Sequence, residues 1–170
     1  MRPVVLAVAL VAVMTACASG RVGGGHITSR PGARVSARVV LGSRTITAGS
    51  AVAASVIVDN NSGRAIRVTG CLGLFQVVLT SSTYHPDVAW PACAQTFTIP
   101  AGQSSYSLKV EATYSSCSQR GPQGTLKSCL PGNRMPPLPP GRYHARLFQA
   151  RHAVAVPAPI PVRVTPPQAP

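Results

Sequence analysis

Between Ser105 and Tyr114 the chain alternates without a break. Tyr106, Leu108, Val110, Ala112 and Tyr114 are apolar or aromatic, and Ser105, Ser107, Lys109, Glu111 and Thr113 between them are polar. A period of two puts the first set on one side of an extended chain and the second on the other, whereas a helix would scatter both sets around its axis. The stretch therefore reads as a β-strand with one buried face. Such a strand points its backbone N–H and C=O groups sideways, so it needs neighbours to pair with and a second layer to cover its apolar side.

The same period recurs along the chain. Val35, Ala37, Val39 and Leu41 share a face while Ser36 and Arg38 point away, and residues 51–59 repeat the pattern with Val52, Ala54, Val56 and Val58. Shorter strands are expected over 64–69, over 70–80 with Phe75, Val77 and Leu79 together, over 96–99, and over 142–148 with Tyr143, Ala145 and Leu147 inward. Turn chemistry separates them: Thr47-Ala48-Gly49-Ser50, Asp59-Asn60-Asn61-Ser62-Gly63, Pro100-Ala101-Gly102 and Pro139-Pro140-Gly141 combine residues that adopt or pre-set turn dihedrals. The last segment, 153–165, carries Pro157, Pro159 and Pro161 at every second position. Amides alternate direction along a strand, so these prolines remove donors on one flank only, and an edge strand is expected there. Seven to eight short strands with no helical period predict an all-β chain, an antiparallel β-sandwich over residues 34–165, with 166–170 as a disordered tail.

The amino terminus reads differently. Arg2 precedes ten apolar residues, 4–13, and then Met14-Thr15-Ala16-Cys17. That has the charge, length and small-residue ending of an export signal, and it is too short for a membrane-spanning helix, which takes about 20 residues. Residues 1–16 are accordingly expected to be a signal peptide. Residues 17–33 carry Gly20, Gly23, Gly24, Gly25 and Pro31 without an apolar period, which predicts a flexible tether. The domain downstream is expected in an oxidising, extracytoplasmic place.

Cysteine arithmetic agrees. If Cys17 falls at the processing site, Cys71, Cys93, Cys117 and Cys129 remain, an even set that implies two disulfides with three connectivities open. Pairs Cys71 with Cys93 and Cys117 with Cys129 are preferred for their nearness in sequence. The second pair would staple the proline-rich excursion over 115–140, which is long for a loop without secondary structure. No two of these cysteines stand at C-x-x-C spacing and no paired histidines accompany them, so neither a metal site nor a cofactor is expected.

Sixteen Lys plus Arg face three acids, Asp59, Asp87 and Glu111, and Lys109 and Lys127 are the lysines, so the charge of +13 is carried almost wholly by arginine. Such an excess suits anionic neighbours: phospholipid headgroups, acidic cell-wall polymers or nucleic acid. Nucleic acid is disfavoured by the export signal and by the lack of aromatic interleaving. Arg38, Lys109, Arg146 and Arg163 are predicted to face outward, as scattered solvated charges unless their strands share a sheet.

Catalysis is not expected. The three acids form no carboxylate pair, and His85 with Asp87 and Ser81 or Ser82 lie too close in sequence on one loop for triad geometry. The better candidate surface is the loop over 81–95, with Tyr84, His85 and Trp90 beside Cys93, since aromatics on a disulfide-held loop suit partner recognition. Trp90 folded back as a cap on the core is the alternative.

Two resemblances follow. The strand ending in Asp59-Asn60-Asn61-Ser62-Gly63, then the stretch from Phe75 to Leu79, then Ile99-Pro100-Ala101-Gly102-Gln103-Ser104 before a strand, then Leu138-Pro139-Pro140-Gly141-Arg142-Tyr143, is similar to the immunoglobulin-like domains of bacterial surface lipoproteins of the actinobacterial type. It is also similar to proteinase-inhibitor domains of that architecture. Ala16-Cys17 resembles the lipoprotein processing site, which implies lipid on Cys17, whereas cleavage after Ala16-Cys17-Ala18 would release the protein. The first resemblance implies a non-catalytic binding or envelope-support module, lipid-anchored through Cys17 on the outer face of the cytoplasmic membrane, with a protein or an anionic envelope polymer as partner. The second implies an inhibitor that inserts residues 84–93 or 135–138 into a protease.

Overall fold

The computed structural model describes residues 34–70, 73–88, 95–149 and 153–167. Cys17 and the expected signal peptide and tether, together with Cys71, Trp90, Cys93 and residues 168–170, lie outside the described residues. No α-helix occurs among the described residues.

Nine strands form among the described residues, where seven to eight were expected: β1 (Val35–Leu41), β2 (Thr45–Thr47), β3 (Ala51–Asn60), β4 (Ile66–Gly70), β5 (Phe75–Thr80), β6 (Gln95–Ile99), β7 (Gly102–Glu111), β8 (Gly141–Gln149) and β9 (Ile160–Thr165). The unexpected strand is β2. It has three residues and one buried side chain, Ile46, too short a run to show a period. The strongest alternation in the sequence, β7, pairs along its whole length with β3, from Ala51↔Glu111 to Asn60↔Gly102.

The strands make a three-stranded sheet β1-β3-β7, a four-stranded sheet β2-β9-β8-β5 and a two-stranded ladder β4-β6. Val56, Val58 and Val110 of the first sheet and Ile46, Leu79, Ala145 and Val164 of the second belong to one buried cluster. Removing each of the valine, leucine and isoleucine side chains from water contributes about 1.5–3 kcal/mol, and the methyl of Ala145 less. The rings of Phe75 on β5 and Tyr106 on β7 meet edge to face at 5.1 Å, a contact that joins one sheet to the other. The protein is thus an all-β sandwich, layered as the alternating periods require.

Two expectations about the last strand and the pairing are corrected. The proline-bearing segment is not an edge strand, because β9 lies inside its sheet, antiparallel to β8 and parallel to β2. This parallel pair is also a departure from an antiparallel sandwich. The prolines act as their one-sided chemistry requires, but over a shorter stretch. Arg163 N–H donates to the carbonyl of Arg44 at 2.8 Å, so odd-numbered residues of β9 face β2, and Pro161 turns its donorless nitrogen to the same flank. The register with β2 begins at Thr45↔Arg163, just beyond Pro161. Pro157 and Pro159 precede β9 altogether.

Glycine is required at two turns. Gly63, in the bend after β3, has φ +76°, and Gly102, the first residue of β7, has φ +83°, a region that side chains strain to enter. The two turns are tied together by Asn60, which is 1% exposed. Its Nδ2 donates to the carbonyls of Arg64 and Pro100, both at 2.9 Å. Its Oδ1 accepts from Ser62 N–H at 3.1 Å and Ser62 Oγ at 2.7 Å.

Candidate binding site

The excursion over 115–140 is more ordered than a loop. Tyr114 N–H donates to the carbonyl of Pro136, and Leu138 N–H to the carbonyl of Ala112, both at 2.9 Å. Residues 136–138 thereby run alongside residues 112–114, just beyond β7, and Leu138 is 1% exposed. Between these anchors Cys117 and Cys129 are joined by a disulfide. Ser118 N–H donates to the carbonyl of Lys127 at 2.8 Å, and Cys129 N–H to the carbonyl of Ser118 at 3.0 Å. The bonded cysteines and this small ladder close the loop on itself, as the composition of the segment alone could not.

The candidate loop folds against this structure. Ser81 N–H donates to the carbonyl of Tyr84 at 2.8 Å, which turns the chain after β5. The ring of Tyr84 meets that of Tyr114 edge to face at 5.1 Å, and its hydroxyl accepts from Ser115 N–H at 2.8 Å. Tyr84 is therefore a half-buried anchor, while His85 and Asp87 are exposed beside it. Ser81 Oγ accepts from Thr83 N–H at 3.3 Å, and no hydrogen bond joins His85 to Asp87 or to a serine among the described residues. Asp59 and Glu111 sit at opposite ends of the β3–β7 ladder.

Two depressions flank the Tyr84–Tyr114 pair. One, of about 520 Å³, is lined by Tyr84, His85, Tyr114, Lys127 and Tyr143 among others. The other, of about 360 Å³, lies toward Phe75, Leu108 and Met135. The first has aromatic walls and a rim of His85, Asp87 and Lys127. Tyr143, at the start of β8, is 4% exposed and donates from its hydroxyl to the carbonyl of Pro139 at 2.9 Å. Burial, then the neighbouring Tyr114 and Tyr84 hydroxyls, push its ionisation above the usual 10.0. A wall of held aromatic rings offers flat apolar surface at little entropic cost, with charged groups at the margin to orient what lies on it.

Tyr84 and His85 are thus placed together at one end of the sandwich, whereas Trp90 and Cys93 fall outside the described residues. Tyr114 and Tyr143 complete the wall. Sequence periodicity gives both an inward direction but cannot bring two strand ends and a loop to one place. Of residues 135–138, Pro136 and Leu138 are buried and Met135 and Pro137 exposed, and the segment is bonded through Pro136 and Leu138 to the residues that follow β7. Arg38 and Lys109 belong to the first sheet, and Arg146 and Arg163 share the second.

No protein-family model matches the chain, and no curated protein matches it. Among solved structures the chain is similar to those of a beta-glucosidase from Listeria innocua. A mutant form in complex with laminaribiose is 13% identical with a TM-score of 0.44 over 78% of this chain. The complex with gluconolactone is 15% identical with a TM-score of 0.41 over 76% of this chain. The complex with glucose is 14% identical with a TM-score of 0.41, also over 76%. The chain spans 16% of the length of those structures.

Proposed function

We propose that this chain is a non-catalytic, immunoglobulin-like binding module, held by lipid on Cys17 at the outer face of a bacterial cytoplasmic membrane, which receives a partner in the aromatic cleft. The observation that carries the reading is the cleft itself: a tyrosine wall built from a loop and a disulfide-stapled excursion, in which no nucleophile, base and orienter meet among the described residues. The Cys117–Cys129 disulfide fits the oxidising address implied by the amino-terminal signal.

The strand order supports the architecture. An immunoglobulin sandwich places its first, second and fifth strands in one sheet and its third, sixth and seventh in the other. Taking β1, β3, β5, β6, β7, β8 and β9 as the seven, the sheets β1-β3-β7 and β9-β8-β5 follow that order, with β6 drawn off to pair with β4. The bond from Tyr143 back to Pro139 is similar to the tyrosine corner of such domains.

Two measurements test the reading. Mass spectrometry of the mature protein is expected to find a lipid-modified Cys17, and an unmodified chain starting at Ser19 would refute the anchor. Cross-linking of envelope fractions is expected to lose its adduct when Tyr114 and His85 are both changed to Ala. The same adduct at full yield would place binding elsewhere.

A further inference from the structure

Arg142 on β8 stands directly opposite Arg163 on β9. Because Arg163 donates its N–H to Arg44 and not to β8, the two arginines form a non-hydrogen-bonded pair, the kind in which facing side chains come closest. Both are exposed, and like charges directly opposite on one face destabilise a sheet. Arg44, also exposed, lines the same open depression as Arg142, His144 and Arg163. Arg146 continues the row on the same face of β8, about 13 Å beyond Arg142 at the usual rise along a strand. The three acids of the chain, Asp59, Asp87 and Glu111, all lie off this sheet, on β3, in the loop after β5 and on β7. The four cations predicted to face outward divide between the two sheets, and Arg146 and Arg163 stand with Arg44 and Arg142 on a sheet that carries arginines without a carboxylate.

We propose that the outer face of the four-stranded sheet, through Arg44, Arg142, Arg146 and Arg163, is a docking surface for an acidic envelope polymer of repeating phosphodiester units. Charge complementarity sets the sign. The arginines suit the group, since a guanidinium fork pairs bidentately with the two non-bridging oxygens of a phosphodiester, and a repeating chain can bring one such group to each fork of the close Arg142–Arg163 pair. The row along β8 and the concave depression at its end favour a chain lying in the groove over a planar bilayer surface. The location of the polymer outside the cell rests on the export reading above. The binding surface does not, nor does it use the aromatic cleft.

The test is binding of fluorescent poly(glycerol phosphate) to the full chain at low salt. Changing Arg142 and Arg163 together to Ser is expected to weaken binding about tenfold or more, since the paired forks are lost. Changing Arg38 and Lys109 to Ser removes equal charge from the other sheet, and is expected to weaken it by about twofold or less, as distant exposed charges are screened. Equal weakening by both double variants would overturn the proposal, as would no binding at all. Tighter binding to phosphatidylglycerol vesicles, or to single-stranded DNA, would overturn it as well. Without polymer, Arg142→Ser is expected to raise the melting temperature by relieving the pair, and a lower one would contradict the repulsion on which the site is argued. The lipid assay on Cys17 is a separate result, so either can fail alone.

Discussion

The hydroxyl of Tyr143 donates a 2.9 Å hydrogen bond to the carbonyl of Pro139, four residues before it. The bond fixes the corner where the stapled excursion enters β8, and it holds the ring that forms one wall of the cleft.

Tyr143→Phe keeps the ring and removes the bond. A hydrogen bond of this kind contributes about 1 kcal/mol net, so the variant is expected to melt about 3–4 °C lower in a domain of this size. The pH dependence adds a second readout. The ionisation of Tyr143 is raised above 10.0 by burial first and by Tyr114 and Tyr84 after it. The unfolded chain then releases its proton before the folded one, so the stabilisation is whole below about pH 10 and is lost as pH rises through the folded value. In urea titrations the gap between wild type and Phe variant is expected at about pH 9 and to narrow by about pH 11. A gap that stays constant would show that burial does not hold this proton.

Asn60 carries the second prediction. Its amide bridges the turn after β3 to the carbonyl of Pro100, forty residues on. Asn60→Asp sets a carboxylate oxygen against the carbonyls of Arg64 and Pro100, and a buried acceptor facing acceptors is expected to cost about 3 kcal/mol. Lowering the pH protonates the new carboxyl and returns one donor, so the variant is expected to recover part of its stability in acid. Chemical denaturation at two pH values checks both. A variant as stable as the wild type at neutral pH would mean that the bridge is dispensable.

Much of the layered fold was legible in the sequence because period-two burial is a local property: the alternation of β7, the inward set of β8 and the valines of β3 all read directly. What was not legible depends on pairing. Asp59 through Gly63 reads as turn chemistry, and the turn begins at Asn61, but nothing local tells that Asp59 and Asn60 complete β3 and that Asn60 reaches Pro100. Ile46 is one apolar residue between two threonines, and it becomes a strand only because β9 runs beside it. Arg142 and Arg163 are twenty-one residues apart, and the sequence gives each an outward direction without making them neighbours. The cleft has the same character, since Tyr84, Tyr114 and Tyr143 come from a loop and two strand ends.

The Cys117–Cys129 disulfide has a sequence separation of 12. Closing a loop of that length restricts the unfolded chain by about 3 kcal/mol in the chain-entropy estimate. The residues inside it are mostly exposed, so its loss is expected to loosen the excursion before the sandwich. Reduction, or Cys117→Ser with Cys129→Ser, is expected to lower the melting temperature and to expose Arg120 and Lys127 to trypsin while residues 141–165 stay protected. Cleavage spreading at once through β8 and β9 would show instead that the staple supports the whole domain.

The second pair can be argued from the register beside it. β4 and β6 run antiparallel with Gly70 opposite Gln95, which sets their backbones about 4.8 Å apart. Cys71 follows Gly70 by one residue and Cys93 precedes Gln95 by two. Each cysteine thus stands within two residues in sequence of a paired position, which favours the pairing preferred for its nearness in sequence. Non-reducing peptide mapping is therefore expected to recover residues 71 and 93 in one cross-linked peptide, distinct from the pair at 117 and 129. A bond from Cys71 to either residue of the other pair would contradict the register argument, and free thiols at both positions would also remove support for an oxidising address. Because β6 leads through Gly102 into β7, a bond there would fix the entry to the longest ladder of the first sheet, and Cys71→Ser with Cys93→Ser is expected to cost about 2–4 kcal/mol in the same chain-entropy terms.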